Sequence, residues 1–66
     1  MEIILNGSPR IIPEQTSALE LLHSLDLANK RLALEINCEI VPRSTFELHM
    51  IKAGDTVEIV HAIGGG

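Results

Sequence analysis

The sequence opens with two short apolar runs separated by a turn signal. Residues 2–5 and residues 10–12 are rich in isoleucine and flank Asn6-Gly7, a dipeptide that tolerates positive φ at both central positions of a tight turn. Pro13 ends the second run because it has no backbone N–H to donate. These features predict an N-terminal β-hairpin.

The apolar residues that follow recur at intervals of three and four, which is the spacing of one face of an α-helix. They are Ala18, Leu21, Leu22 and Leu25, with Leu19 widening the stripe. Ser17 with Glu20 three residues later fits a capping box, and Thr16 is a competing N-cap. We therefore expect one main helix that ends near Asn29-Lys30.

Alternation with a period of two returns after this helix. In residues 32–36 it predicts a strand with Leu32, Leu34 and Ile36 on the buried face. A tight turn at residues 37–39 leads into Ile40-Val41, which Pro42 closes. These segments predict a second hairpin.

The last third of the chain contains a short helical turn and a final strand. Ser44 is a candidate cap for a turn over residues 45–50, which would direct Phe46 and Met50 inward. Residues 53–55 form a turn, and residues 56–63 are the last strand.

The order of these elements determines the expected fold class. A helix and a sheet bury their apolar sides by stacking in two layers. The first and last strands are the most apolar, so we place them centrally and parallel to each other. The sequence predicts an α+β domain of the β-grasp (ubiquitin-like) class. It would have a mixed sheet of about five strands (or four), one main helix and a short helical turn.

Composition narrows the function classes. The chain of 66 residues carries a net charge of −4, and Phe46 is its one aromatic residue, so it lacks the basic surface and stacking groups of nucleic-acid binding. No apolar run has the length of a membrane span, and the N-terminus lacks the features of a signal peptide. A single cysteine forms no internal disulfide, which favours a cytoplasmic protein.

Few residues are candidates for chemistry. His23, His49 and His61 follow no metal-ligand spacing, and the first two are expected on the surface. His61 precedes the C-terminal glycines and is a candidate contact for a partner or a phosphate, although an ordinary surface position on the strand is the favoured interpretation. Cys38 has no histidine near it in sequence and is interpreted as an exposed, inert thiol. We expect no catalytic residue, no metal and no bound cofactor.

The chain ends in Gly64-Gly65-Gly66, directly after the apolar strand. Glycine lacks a Cβ, so such a tail is able to thread a narrow channel and present the Gly66 carboxylate to a partner's active site. A frayed terminus is the ordinary alternative. We assign residues 1–62 to the β-grasp domain and residues 63–66 to a flexible tail.

The strand alternation also predicts a docking surface. If Val57 and Ile59 face the helix, then Ile4, Val60 and Ala62 lie on the open face of the sheet. Aliphatic residues on a face that packs against nothing suggest a partner-binding patch, although single surface aliphatics are common.

Taken together, these motifs resemble the ubiquitin-like sulfur carriers and, among them, the ThiS family of thiamine-biosynthesis sulfur carriers. The resemblance covers the whole chain. It includes Asn6-Gly7, Leu19-Glu20-Leu21-Leu22, Ala33 to Asn37, Ile40 to Arg43, Ala53-Gly54-Asp55, Val57 to Val60 and the final Gly65-Gly66. Phe46 stands where the family often has tryptophan.

The resemblance implies a mechanism and partners. An adenylating enzyme of the ubiquitin-activating type would use ATP to convert the Gly66 carboxylate to an acyl-adenylate. Sulfur from a cysteine desulfurase system would displace AMP and leave a thiocarboxylate, which would donate its sulfur to thiazole synthase. Gly64 and Gly65 would thread the tail into these partners.

Three alternatives stay open at this point. The small subunit of molybdopterin synthase shares the fold, the tail and the thiocarboxylate chemistry, but those proteins are usually longer. A ubiquitin-like protein modifier would instead join Gly66 to a lysine. A β-grasp binding module would not need the glycines for its function.

Overall fold

A five-stranded sheet and one α-helix are the main elements of residues 1–61, the part of the chain that the computed structural model describes. The elements, in chain order, are β1 (Glu2–Leu5), β2 (Ser8–Ile11), α1 (Ala18–Ser24), β3 (Leu32–Ile36), β4 (Glu39–Val41), a 3-10 helix (Arg43–Thr45) and β5 (Thr56–His61). The 3-10 helix lies earlier than the helical turn expected over residues 45–50. Neither helix in residues 1–61 combines the length and the apolar character needed to cross a bilayer.

Two tight turns form the hairpins. Asn6 and Gly7 connect β1 to β2 with φ angles of 49° and 85°. Asn37 and Cys38 connect β3 to β4 with φ angles of 53° and 70°. Positive φ at both central positions is typical of the type I′ turn, whose twist matches that of the flanking strands. The hairpin predicted from Asn6-Gly7 is therefore confirmed.

The strands are arranged in the order β2-β1-β5-β3-β4. β1 and β5 are parallel, whereas β1–β2, β3–β4 and β3–β5 are antiparallel. This mixed sheet of five strands confirms the expected β-grasp arrangement, with the first and last strands side by side in its interior.

The N-terminus of α1 has the predicted capping box. The hydroxyl of Ser17 accepts a hydrogen bond from the N–H of Glu20 at 3.1 Å, and the Glu20 carboxylate accepts one from the N–H of Ser17 at 2.9 Å. Two more helical N–H groups are satisfied from outside the helix, because Ala18 donates to the carbonyl of His49 and Leu19 to that of Phe46. The segment after the 3-10 helix thus caps α1.

The helix ends at Ser24, so the expected exit near Asn29-Lys30 was wrong. Asp26 adopts a left-handed conformation with φ of 62°, and the N–H of Leu27 donates to the carbonyl of Leu22 at 2.8 Å. This is the Schellman ending of a helix. Glycine is the usual residue at this left-handed position. Because Asp26 occupies it here, the sequence has no glycine to mark the end of the helix.

One hydrophobic core lies between α1 and the sheet. Its buried members are Ile3, Ile12, Ala18, Leu21, Leu22, Leu34, Ile36, Val41, Phe46, Ile51, Val57 and Ile59. Phe46 is inward as expected, but Met50 is 44% exposed and Ile51 is buried instead. The reason is that Met50 forms a strand-like bridge with Ser17, and consecutive residues of extended backbone point to opposite sides. Leu32, expected to be buried, is only half-buried.

Candidate functional site

β5 is the strand that leads to residue 62, and it lies in the middle of the sheet. It pairs with β1 through Thr56 and Val57 and with β3 over residues 57–61. Val57 has no exposed surface, and Ile59 is also buried. The position of residue 61, from which the chain passes to residue 62, is therefore set by a strand that β1 pairs at its start, β3 pairs along its length, and the core packs against from one face.

The residues predicted to carry the chemistry follow this strand. Gly66, Gly65 and Gly64 lie outside the described residues, as does Ala62 of the predicted docking patch. The predicted boundary between a domain of residues 1–62 and a tail of residues 63–66 falls there too and stays a prediction.

Two asparagine side chains accept hydrogen bonds from the backbone of β5, one from each hairpin turn. The side-chain carbonyl of Asn6 accepts a hydrogen bond from the N–H of Ile59 at 2.8 Å. The side-chain carbonyl of Asn37 accepts one from the N–H of Thr56 at 2.9 Å, and the Asn37 amide donates to the Asp55 carboxylate at 3.0 Å. Each asparagine sits in a hairpin turn, so both hairpins are tied directly to the strand that precedes the glycines.

The structure places Ile4 and Val60 on the same face of the sheet, opposite α1. Their neighbours Ile3 and Ile59 are buried, whereas Ile4 is half-buried and Val60 is 50% exposed. They are not adjacent, however. Ile4 lies beside Thr56, and Val60 is four residues further along β5, which corresponds to about 13 Å. They belong to one surface but not to one compact patch.

Two exposed aliphatic residues that sequence reasoning did not assign to this surface also lie on it. Ile11 is 73% exposed and pairs with Glu2, while Ile40 is 71% exposed and pairs with Glu35. Directly paired residues point to the same side of a sheet, which puts both isoleucines on the open face. The sequence held a signal for both positions, since each isoleucine is followed directly by an apolar residue that is buried, Ile12 or Val41.

The open face also carries acidic side chains. Glu35 of β3 and Glu58 of β5 are directly paired in its centre, and Glu2 lies on β1. The face therefore alternates aliphatic and carboxylate groups. Such a surface has the chemistry of a protein docking site, in which apolar contacts supply affinity and charges select the partner.

The remaining candidate residues are dispersed. His23 and His61 are exposed, His49 is half-buried, and Cys38 is exposed in the turn between β3 and β4. Among residues 1–61, no three His, Cys, Asp or Glu side chains are grouped closely enough to hold a metal ion.

The whole chain is similar to proteins of known family. A model of the ThiS family matches residues 3–66. The sulfur carrier protein ThiS of Escherichia coli (strain K12) is 33% identical over 66 residues, which are 100% of both chains. The crystal structure of the thiamine biosynthesis protein (ThiS) of Geobacter metallireducens matches with a TM-score of 0.87 and 33% identity, again over 100% of both chains.

A region within larger proteins is also similar. A thiazole synthase of Paramagnetospirillum magneticum is 36% identical to the chain over 66 residues. The chain spans only 20% of the length of the thiazole synthases that it matches. The family match over nearly all residues, the full-length relative and the shared β-grasp fold lead to one conclusion. The chain belongs to the ThiS family.

Proposed function

We propose that this chain is a sulfur carrier for thiamine biosynthesis, and that sulfur is carried as a thiocarboxylate on Gly66. The observation that supports this proposal most strongly is the extent of the family match, which continues through the glycines to Gly66. Similarity confined to the core would support only the fold. Similarity that includes the tail supports a function that uses the tail.

The first chemical step is activation of the Gly66 carboxylate. A carboxylate is a poor electrophile, so it needs a leaving group before sulfur attacks. In the proposed step a carboxylate oxygen attacks the α-phosphorus of ATP, pyrophosphate leaves, and an acyl-adenylate forms. The terminal sulfur of a persulfide from a cysteine desulfurase system then displaces AMP and gives an acyl disulfide. A thiol reduces the S–S bond of this intermediate, which releases the thiocarboxylate and leaves a disulfide between the thiol and the sulfur donor.

The proposed chemistry is divided between the adenylating enzyme and this chain. Stabilising the charge on a transferring phosphate requires cationic groups and a metal ion placed at the reacting atoms. We assign ATP binding and catalysis to the adenylating enzyme, and recognition and delivery of the carboxylate to this chain.

The acceptor of the sulfur is proposed to be thiazole synthase. Two relatives with that name contain a stretch similar to the entire chain. A carrier-like region that is covalently part of the synthase supports a partnership between carrier and synthase. It favours thiazole formation over transfer to a molybdenum-cofactor precursor.

The proposed docking surface is the open face of the sheet near the end of β5. Of the predicted patch, Val60 is the exposed member closest to residue 62, and Ile4 lies further along the same face. Ala62, which lies outside the described residues, is the third residue of the proposed docking surface. Apolar contact at Val60 would position β5 so that the following residues enter the partner's site.

Intact-mass spectrometry tests this proposal. The purified chain is incubated with ATP, a sulfur donor and the adenylating enzyme encoded by the same organism. We expect a mass increase equal to the replacement of one oxygen by one sulfur, and fragmentation should localise it to Gly66.

Omission of ATP and deletion of Gly65-Gly66 are the matched controls, and each should abolish the mass change. An unchanged mass of the full chain would contradict the proposal, provided that the same enzyme preparation converts an established sulfur carrier. A lysine conjugate of Gly66 in cell extract would favour a protein modifier instead.

A further inference from the structure

The few basic residues of this acidic chain are unevenly distributed. The chain has five Lys and Arg residues against nine acidic ones. Two of the five, Arg31 and Arg43, are far apart in sequence but line one open groove at the end of the sheet where β5 finishes. We call this the end groove. Its lining residues are Arg31, Leu32, Ala33, Arg43, Val60 and His61.

The floor of the end groove is apolar. It is formed where β3 and β5 pair, with Ala33 opposite Val60 and Leu32 opposite His61. Ala33 and Val60 are both exposed on the open face of the sheet. A small side chain beside a medium aliphatic one leaves room for an apolar group of a partner to reach the sheet.

One arginine at the groove is already oriented. Arg43 follows β4, and its guanidinium donates a hydrogen bond to the carbonyl of Lys30 at 3.0 Å. The same guanidinium lies 5.6 Å from the centre of the Phe46 ring, within the range of a cation–π contact. Because a guanidinium has five N–H donors in a rigid fork, donors are left over for a second acceptor.

The positive charges at the groove have no internal partner among the described residues. The single ion pair within residues 1–61 joins the N-terminal ammonium to Glu14, on another part of the molecule. The nearest carboxylates along the same sheet face, Glu35 and Glu58, are two residues further from the end of β5 than Ala33 and Val60. Carboxylates therefore lie in the centre of the open face, whereas two arginines border the end groove where β5 finishes.

We propose that the end groove binds an acidic segment of the adenylating enzyme, at the rim of the site that receives the glycines. This inference rests on the proposed function. If residues 62–66 enter a partner's site, the protein surface around that entrance must cover the end of β5, and the end groove is there. Carboxylates on that rim would pair with Arg31 and Arg43, while an aliphatic side chain would contact Val60.

Arg31→Glu is the decisive variant because, among residues 1–61, the Arg31 side chain makes no hydrogen bond or ion pair that the fold needs. Arg10→Glu is its matched control. Arg10 is exposed on β2 at the far edge of the sheet, and the change in net charge is the same. Circular dichroism melting of both variants establishes that they fold.

The measurement is the rate of carrier-dependent ATP–pyrophosphate exchange by the adenylating enzyme, which reports acyl-adenylate formation, as a function of carrier concentration and of salt. We expect Arg31→Glu to raise the KM for the carrier about tenfold with little change in kcat, since a rim charge acts on encounter and binding. The salt dependence of kcat/KM should become weaker because an attractive pair has been removed. Arg10→Glu should behave like the unmodified chain.

Two results would overturn the proposal. The first is an equal KM for Arg31→Glu and Arg10→Glu while the unmodified chain is converted normally, which leaves the carrier function intact. The second is a loss confined to kcat, which would mean that Arg31 acts on the reacting atoms and not on docking. Failure of the unmodified chain to be adenylated would refute the carrier function itself.

Discussion

The side-chain carbonyl of Asn6 takes the place of a backbone carbonyl in the ladder between β1 and β5. The backbone N–H of Asn6 donates a hydrogen bond to the carbonyl of Val57 at 2.9 Å, and the chain then turns away from β5 at Gly7. The next N–H of β5 that points towards β1 belongs to Ile59, and no backbone carbonyl of β1 reaches it. The side-chain carbonyl of Asn6 accepts its hydrogen bond instead, at 2.8 Å. One residue thus forms the turn and extends the sheet towards the end of β5.

Replacing Asn6 should therefore destabilise the domain through two effects. Asn6→Ala leaves the N–H of the buried Ile59 without an acceptor and puts alanine at a positive φ of 49°. We expect the free energy of unfolding to fall by about 1–3 kcal/mol. Urea denaturation followed by far-ultraviolet circular dichroism measures this change.

Asn6→Asp is the matched control for that variant. Aspartate keeps an oxygen at the same position and also tolerates the left-handed conformation. It should retain most of the stability. Equal losses for Asn6→Ala and Asn6→Asp would show that the hydrogen bond to Ile59 contributes little.

The capping box of α1 gives a second prediction. Ser17 is buried, and its hydroxyl serves the N–H of Glu20. Ser17→Ala should lower the free energy of unfolding by about 1 kcal/mol, whereas Ser17→Thr, which keeps the capping hydroxyl, should lower it less. A double-mutant cycle with Glu20→Ala measures the coupling of the two hydrogen bonds. Strictly additive losses would contradict a reciprocal box.

The local signals in the sequence were sufficient for the order of elements and the strand pairing. Asn6-Gly7 and Ser17 with Glu20 each act over a few residues, and both motifs form as predicted. The end of α1 and the position of Met50 were wrong for a different reason. They depend on a left-handed Asp26 and on a bridge between distant segments, neither of which a periodic pattern reveals.

The candidate surface was predicted in part. Alternation alone places Ile4 and Val60 on the open face, but their separation depends on the register between β1 and β5. No tight turn joins β1 to β5, so no local feature of the sequence fixes their register. The end groove was missed for the same reason, since Arg31 and Arg43 come together only when β3 lies between β4 and β5.

The proposed docking surface gives a third prediction. Val60→Asp places a charge on an exposed apolar site near the end of β5 and should weaken binding to the adenylating enzyme about tenfold or more, because a buried unpaired charge is costly at an interface. The fold should be unaffected, since half of the side chain is already exposed. Isothermal titration calorimetry measures the affinity, and thermal melting checks the fold.

Ile11→Asp is the control for this experiment. Ile11 lies on the same face and is more exposed than Val60, but it is on the edge strand β2. Its replacement should leave the affinity nearly unchanged if docking is centred on the end of β5. Equal losses for the two variants would extend the interface across the whole sheet, and no loss for Val60→Asp would remove Val60 from it.

The glycines give the last prediction, which concerns sterics and not stability. A channel that admits a backbone without side chains excludes a β-branched residue, so Gly65→Val should reduce the rate of adenylation strongly while Gly65→Ala has an intermediate effect. Neither change touches the core of residues 1–61, so the melting temperature of both variants should equal that of the unmodified chain. Single-turnover formation of the acyl-adenylate, detected by mass spectrometry, separates this step from later sulfur transfer. Normal adenylation of Gly65→Val would refute threading. It would mean that the Gly66 carboxylate reaches ATP in the adenylating enzyme without passing through a narrow channel.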